Sequence, residues 1–251
     1  MPSARLNSRC QAPLESPVSA TCYMCQAAAT SYEHAPPLCF FPEQASIGRD
    51  LRKNLVTVPS CDLHNSKKSE DDEFLRATLC LPSAGVSEVA THQFKGKLLR
   101  GARRAPAKYG SFAVRANVKA PPGKSVFTTD RRRFDRCIEH ISKAICFHTY
   151  GIKWPLPVAV VSPQLLAESR AGQLAAQQSS LAAIHATREF LANQPVRGQN
   201  PEVFLYRIGI RDDMLAFAAI FYDTFEVFVA SSPSISDGVQ SITQVDAFGT
   251  D

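Results

Sequence analysis

Two short motifs of cysteine and histidine stand in the first third of the chain. Cys22 and Cys25 are separated by two residues, and Cys61 and His64 repeat that spacing. Thiolates and imidazoles are the ligands that zinc prefers, and pairs at this spacing are typical of structural zinc sites. The sequence therefore predicts one structural zinc site, in which Cys39 is an alternative to His64 as the fourth ligand.

An acidic residue and an imidazole stand side by side between these two motifs. Glu33 and His34 belong to the run Ser31–Pro37, which favours a short strand followed by a proline-fixed turn. A carboxylate can hold a hard divalent cation, and an imidazole with an unperturbed pKa of about 6.5 can accept a proton from water. Asn65 adds an amide oxygen at the expected start of a helix. These groups predict metal-assisted hydrolysis of a phosphodiester.

A resemblance to a known family rests on three short sequence segments. They are Glu33–Pro37, Phe41–Pro42 and Val58–Cys61, and the His64-Asn65 pair follows two residues after Cys61. With them, the stretch from Cys22 to about Leu75 resembles the HNH endonucleases, in the branch whose ββα-metal hairpin is braced by a Cys-x2-Cys zinc site. The resemblance covers about a fifth of the chain.

The resemblance implies a role for four polar residues. His34 is similar to the general base, Glu33 and Asn65 are similar to the ligands of a catalytic Mg²⁺ or Mn²⁺, and Asn54 is similar to the asparagine that ties the loop together. The implied reaction is attack of an activated water on a backbone phosphorus, with the cation stabilising the 3′-oxygen leaving group. The implied protein is a DNA endonuclease.

Two departures from the family's pattern favour an alternative of a different class. Glu33 stands where many relatives have Asp, and its extra methylene moves the carboxylate by about one bond length. His64 stands where the family more often has Cys. A non-catalytic zinc-knuckle protein, which binds nucleic acid or serves as a scaffold, would tolerate both departures. The two hypotheses differ in whether Glu33, His34 and Asn65 converge on one cation.

Basic residues are concentrated in the middle of the chain. The formal net charge is +5, and between Lys95 and Arg136 the only acidic residues are Asp130 and Asp135. Such a stretch is expected to contact phosphates without reading sequence. The predicted partner is DNA, with RNA as the alternative. The residues predicted to contact it are Lys67, Lys68, Arg103, Arg104, Arg131, Arg132 and Arg133.

Composition and turn signals divide the chain into four parts, and the predicted fold class is α+β. Residues 1–19 are polar, rich in Ser and Pro, and expected to be a disordered tail. Residues 20–81 are the predicted zinc-stapled ββα-metal domain. Residues 82–133 are predicted to be a basic, β-rich connector, with a strand across Ser111–Val118. Residues 134–251 are predicted to be an α+β domain whose role the sequence does not indicate.

The predicted C-terminal domain combines two helices with a sheet. Apolar residues recur at helical spacing from Phe134 and stop at Gly151, and a second helix is expected from about Gly172 to Leu191. Three runs rich in β-branched and aromatic residues predict an antiparallel meander packed on these helices: Val203–Ile210, Leu215–Phe221 and Phe225–Ala230.

The composition is typical of a soluble globular protein. Hydrophobic residues make up 45 % and charged residues 20 % of the chain, and no apolar run approaches the ~20 residues of a membrane-spanning helix. The N-terminal text lacks the apolar core of a signal peptide, so the predicted location is cytoplasmic. In that compartment Cys10, Cys80, Cys137 and Cys146 are expected to be unliganded thiols. A homodimer would pair two cuts and is compatible with the sequence.

Overall fold

A computed structural model describes residues 20–65, 68–112, 114–115, 127–165 and 174–231. Over these ranges the protein combines helices with three small sheets, which confirms the α+β class. None of the helices described is both long and apolar enough to span a membrane. The predicted tail, residues 1–19, lies outside the described residues.

The N-terminal part is a hairpin followed by a helix. Strand β1 (Ser31–His34) pairs antiparallel with β2 (Thr57–Ser60), so that Glu33 lies opposite Val58. The excursion between the strands contains a 3-10 turn at Leu38–Phe40 and the short helix α1 (Gln44–Ile47). Helix α2 (Ser69–Ser83) follows β2 and completes a β-β-α unit.

Helix α2 begins a few residues later than the sequence suggested. The helix expected near Asn65 begins at Ser69. The reason is a tight turn after β2, where the backbone N–H groups of His64 and Asn65 both donate to the carbonyl oxygen of Cys61 at 3.0 Å. The turn delays the helix and brings His64 back beside Cys61.

The basic segment predicted to be β-rich is largely helical, which corrects that expectation. Helix α3 (Glu88–Gln93) continues through a π-helical turn (Phe94–Leu98) into α4 (Leu99–Arg104), and α5 (Pro106–Phe112) follows after one residue. The Lys, Arg, Ala and Leu residues that give the segment its charge and size are also good helix formers. Their combined helix propensity outweighs the effect of the glycines, which had suggested loops and strands.

Within the predicted strand at Ser111–Val118, the described residues are Ser111 and Phe112, which end α5, and Val114–Arg115, which form β3. Strand β3 pairs with β4 (Phe127–Thr128). The positions between these two strands lie outside the described residues.

The C-terminal part matches the predicted order of elements. Helix α6 (Arg131–Tyr150) is capped by Asp130, whose carboxylate accepts the backbone N–H of Arg133 at 3.0 Å, and it ends at Gly151 with a φ of +70°. Helix α7 (Leu174–Phe190) precedes a meander of β6 (Phe204–Arg211), β7 (Met214–Phe221) and β8 (Phe225–Ser231). Both the amphipathic helix and the meander are confirmed.

A fourth strand completes this sheet. Strand β5 (Ala159–Val161) pairs antiparallel with β8, which gives the order β5-β8-β7-β6. It precedes a short 3-10 turn at Pro163–Leu165. The sequence analysis missed β5, because three residues are too few to display an alternation of apolar and polar side chains.

The turn between β7 and β8 anchors the C-terminal sheet to the N-terminal unit. The buried Tyr222 hydroxyl donates to the carbonyl oxygen of Phe40 at 3.1 Å, and the rings of Phe40 and Phe221 meet edge to face at 6.0 Å. Nearby, the hydroxyls of Thr224 and Ser83 hydrogen bond at 2.8 Å. One buried hydrophobic cluster therefore includes residues from both halves of the chain.

The loop before β6 packs closely against that strand at Gly198, and substitution of this glycine tests the contact. Gly198→Ala is expected to destabilise the fold more than Gly48→Ala. Both glycines have positive φ, +127° and +80°, but a Cβ at Gly198 would lie 2.4 Å from the carbonyl oxygen of Phe204, whereas a Cβ at Gly48 meets nothing within 4 Å. We expect a loss of about 1 kcal/mol for Gly48→Ala and about 1–3 kcal/mol more for Gly198→Ala. Urea unfolding measures both losses, and equal losses would contradict the close contact.

Candidate metal centre and active site

Three cysteine sulfurs and one imidazole nitrogen meet at the base of the hairpin. The ligand atoms of Cys22, Cys25, Cys61 and His64 all lie within 4.8 Å of one another. Cys25 Sγ is 3.8 Å from Cys61 Sγ, and His64 Nδ1 is 3.5 Å from Cys22 Sγ and 3.3 Å from Cys61 Sγ. Cys39 lies outside this group, because its thiol donates to the carbonyl oxygen of Asp72 at 3.7 Å. The fourth member is therefore His64.

The spacing of these atoms fits a tetrahedral zinc ion. Zinc bonds of about 2.3 Å to sulfur and about 2.0–2.1 Å to nitrogen place the sulfurs about 3.8 Å apart and sulfur and nitrogen about 3.5 Å apart. Burial raises the pKa of the Cys22 thiol, but backbone N–H groups, that of Met24 first, outweigh it and lower the pKa to about 6. The Met24 N–H donates to Cys22 Sγ at 3.4 Å. The cluster can thus hold a structural zinc.

Short backbone hydrogen bonds position the first cysteine pair. The N–H of Cys22 donates to the carbonyl of Ala27 at 2.9 Å, and the N–H of Tyr23 donates to the carbonyl of Pro59 in β2 at 2.8 Å. The pair thereby lies against the strand that leads to Cys61. The other predicted thiols that the structure describes, Cys80, Cys137 and Cys146, are buried elsewhere, and Cys10 lies outside the described residues.

Glu33 projects from β1 towards α2. Its carboxylate is buried, forms an ion pair with the Lys68 ammonium, and accepts a hydrogen bond from the Ser60 hydroxyl at 3.3 Å. The hydroxyl of Tyr23 is also buried and has no hydrogen-bond partner of good geometry among the described residues. Burial first, and the negative charge of Glu33 second, raise the pKa of Tyr23 well above its ordinary value. Glu33 thus lies in a polar, solvent-excluded environment.

His34 projects from the opposite face of β1, because successive side chains in a strand alternate. Burial, together with the positive charge of Arg52, lowers the pKa of the His34 imidazole, so the neutral form is favoured at neutral pH. Arg52 is held in place by the carbonyl of Phe41, to which its Nε donates at 3.0 Å. The sequence analysis missed Arg52, since its separation from His34 in the chain gave no signal.

Asn65 lies on the same side of β1 as Glu33. Its Nδ2 donates to the hydroxyl of Ser31 at 2.7 Å and to the carbonyl of Tyr32 at 3.4 Å. Ser31 and Glu33 share a face because they are two residues apart in a strand. The structure thus places Glu33 and Asn65 on one face of β1 and His34 on the other, so the three side chains do not converge on one point in this arrangement.

Asn54 occupies the exposed turn that leads to β2. It has a φ of +50°, a conformation that asparagine tolerates better than most residues. Together with Ala35 and Pro36 it lines a cavity of about 30 Å³ against the loop Gly198–Asn200. The loop-tying role predicted for Asn54 stays a prediction.

Two further ionisable residues, Asp72 and His140, lie close to Lys68. Burial raises the pKa of Asp72 to about 6, although the Lys68 ammonium opposes the shift. Burial, with the charge of Lys68 next, lowers the pKa of His140 to about 3. The His140 ring lies 5.8 Å from the ring of His64. Lys68 immediately precedes α2 and Asp72 lies in its first turn, and this spacing of four residues could have suggested that the two side chains lie close together.

The cations predicted to contact nucleic acid differ in their surroundings. Arg103 and Arg104, in the last turn of α4, are exposed and have no ion pair with any residue that the structure describes. Arg132 is exposed on α6. Lys68 is buried against Glu33, and Lys67 lies outside the described residues.

Arg131 and Arg133 are engaged within the fold. Arg131 pairs with Asp135 at 2.7 Å and also donates to the carbonyl of Val160. Arg133 pairs with Asp71 at 2.6 Å, and its guanidinium stacks 4.5 Å from the centre of the Phe74 ring. Both therefore stabilise the attachment of α6 to its neighbours, a role that the sequence analysis did not anticipate.

Comparisons with known proteins give no assignment. No family model matches the sequence, and no curated protein and no solved structure is significantly similar to it. The candidate site is therefore interpreted from its own residues.

The metal centre predicts one zinc per chain and a specific way of losing it. Wild type is expected to contain about one zinc by elemental analysis, and Cys61→Ser should lose most of it because an alcohol is a poor zinc ligand. Cys146→Ser is the matched control, since Cys146 is a buried thiol outside the cluster. Loss of zinc should also lower the melting temperature, because metal binding contributes to folding. Equal zinc in Cys61→Ser and wild type would contradict the assignment.

Proposed function

We propose that the protein is a metal-dependent endonuclease of the HNH kind, which hydrolyses phosphodiester bonds in DNA. One observation carries the proposal. A β-β-α unit bears Glu33 and His34 at the end of β1, Asn65 in the turn before α2, and a Cys3His cluster at its base. This order of elements supports the family resemblance of the sequence.

Each of the three polar residues has a chemical role in this proposal. His34, kept neutral by burial and by Arg52, accepts a proton from the attacking water at an imidazole nitrogen. Glu33 and Asn65, on one face of β1, would hold a divalent cation through a carboxylate and an amide oxygen. Mg²⁺ or Mn²⁺ held there would supply positive charge to the phosphate.

Lys68 competes with any cation that Glu33 would bind. Its ammonium now neutralises the buried carboxylate, and both side chains are about nine-tenths buried, at 11 % and 9 % exposure. A cation on the same carboxylate would meet the like charge of the Lys68 ammonium. Glu33 would therefore hold a divalent cation best with the Lys68 side chain turned away, which would leave the Lys68 charge available to the phosphate.

The same ion pair favours the second candidate function, and so does the position of His34 on the face of β1 opposite Glu33 and Asn65. A Glu33 carboxylate that is already paired with Lys68 and hydrogen bonded to Ser60 is satisfied without any metal. That arrangement suits a zinc-stapled binding protein that has kept the fold without the chemistry. Activity therefore has to be measured.

The nuclease proposal is tested by nicking of a supercoiled plasmid in Mg²⁺ or Mn²⁺. We expect wild type to nick the plasmid and His34→Ala to lose at least about 100-fold in rate, the size of one general base. His185→Ala is the control, because His185 is exposed on α7. Zinc content is assayed in every preparation. Absence of nicking by folded, zinc-loaded wild type would instead favour the binding protein.

The basic end of α4 is tested by the salt dependence of DNA binding. Replacing Arg103 and Arg104 together by Gln should weaken binding and reduce the slope of log K against log salt by about 2, since each phosphate contact contributes about 0.9. The double variant Arg197→Gln, Arg211→Gln removes the same charge from exposed positions near β6 and should leave the slope unchanged. An unchanged slope in the Arg103, Arg104 variant would remove α4 from the interface.

A further inference from the structure

A cavity of about 370 Å³ lies on the side of the C-terminal sheet that faces α7. Its floor is formed by Leu205, Ala218, Ile220 and Phe228, which project from β6, β7 and β8 towards the same face of the sheet. Leu191 at the end of α7 closes one side. The volume falls in the range of about 300–1,000 Å³ that is usual for small-molecule sites.

The floor is apolar and partly open to solvent. Ala218 lies in the middle strand and its methyl group leaves space above it, while Leu205 and Ile220 beside it are only half-buried. Val196, in the loop after α7, is 53 % exposed at the edge. An apolar surface that water can reach gains free energy when an apolar group covers it.

Two guanidinium groups lie at the rim against one carboxylate. Arg188 Nη2 donates to both carboxylate oxygens of Glu226, at 3.1 and 3.0 Å, and its guanidinium stacks 4.9 Å from the centre of the Phe228 ring. Arg207 Nη1 donates to the carbonyls of Leu191 and Ala192, at 3.2 and 2.9 Å. The rim therefore has one excess positive charge.

These guanidinium groups retain donors that can face a ligand. An arginine side chain has five N–H groups, and the bonds above use only Nη2 of Arg188 and only Nη1 of Arg207. Because the fold itself holds both guanidinium planes, little side-chain entropy is lost when they bind an anion. Guanidinium groups bind carboxylates well through paired N–H···O bonds.

We propose that this cavity binds a small amphipathic carboxylate. The apolar chain or ring lies on the floor around Ala218, and the carboxylate accepts hydrogen bonds from Arg188 and Arg207. An apolar floor with a net positive rim disfavours both cations and fully polar anions. The proposal concerns the C-terminal half alone and does not depend on nuclease activity.

The cavity and the candidate active site are connected by one loop. Val196 lines the cavity, and the next residue, Arg197, pairs with Tyr206 of β6 through N–H···O bonds of 2.8 and 2.9 Å. Further along the loop, Asn200 Nδ2 donates to the carbonyl of Lys53, beside Asn54 of the hairpin, at 3.1 Å. A ligand that covers Val196 should therefore slow hydrogen exchange along Val196–Asn200.

Octanoate and 1-octanol are suitable probes because they share a chain and differ in charge. In calorimetric titration of the full chain, we expect one octanoate to bind and 1-octanol to bind at least about tenfold more weakly, the size of one charge-assisted hydrogen bond. Arg188→Gln should lower the affinity for octanoate towards that for 1-octanol. Because Arg188 is exposed, this change should not unfold the protein.

A second pair of variants locates the site. Ala218→Phe fills the cavity and should abolish binding of octanoate, whereas Ala186→Phe places the same ring on the exposed side of α7 and should leave binding unchanged. Three outcomes would overturn the proposal: no saturable binding by wild type, equal binding by Ala218→Phe, or a stable dimer in solution that Ala218→Phe dissociates. The last would show that a second copy of the chain covers this face.

Discussion

The geometry of the candidate site depends on the Cys3His cluster. Cys22 and Cys25 precede β1, while Cys61 and His64 form the turn between β2 and α2, so the cluster joins the start of the hairpin to the start of the helix. The strands it braces have four residues each, and an isolated hairpin of that length is only marginally stable in water. The relation of Glu33 on β1 to α2 is therefore fixed largely by these four side chains.

The sequence predicted local features well because they depend on spacing and periodicity. The two ligand pairs, the helix that ends at Gly151 and the three strands of the meander all have signals within a few residues of one another. Partners of charged groups have no such signal. Lys68 and Arg133 were expected to meet phosphate, yet they pair with Glu33 and Asp71, because only the tertiary fold determines which carboxylate each one meets.

In the proposed nuclease, the buried ion pair of Glu33 and Lys68 would link stability to function. Removing two charges from water is costly, and their attraction offsets this cost only while both are present, so loss of either partner leaves an unpaired buried charge. A divalent cation bound to Glu33 would replace one counter-ion with another and leave the carboxylate neutralised throughout. The Lys68 ammonium can thus neutralise the Glu33 carboxylate in the absence of a metal, and a bound metal would neutralise the same carboxylate in its place.

The C-terminal half completes the core of the N-terminal unit. About 60 residues bury too little apolar surface to be comfortably stable alone, and here Phe40 is covered by Phe221 and by Tyr222, whose hydroxyl bonds to the Phe40 carbonyl. Removing the sheet would expose Phe40 and leave its carbonyl without that donor. The loop Gly198–Asn200, which lies against the hairpin, belongs to the same half. Any event that displaces the sheet must therefore also disturb the surroundings of His34, since the two halves share these contacts.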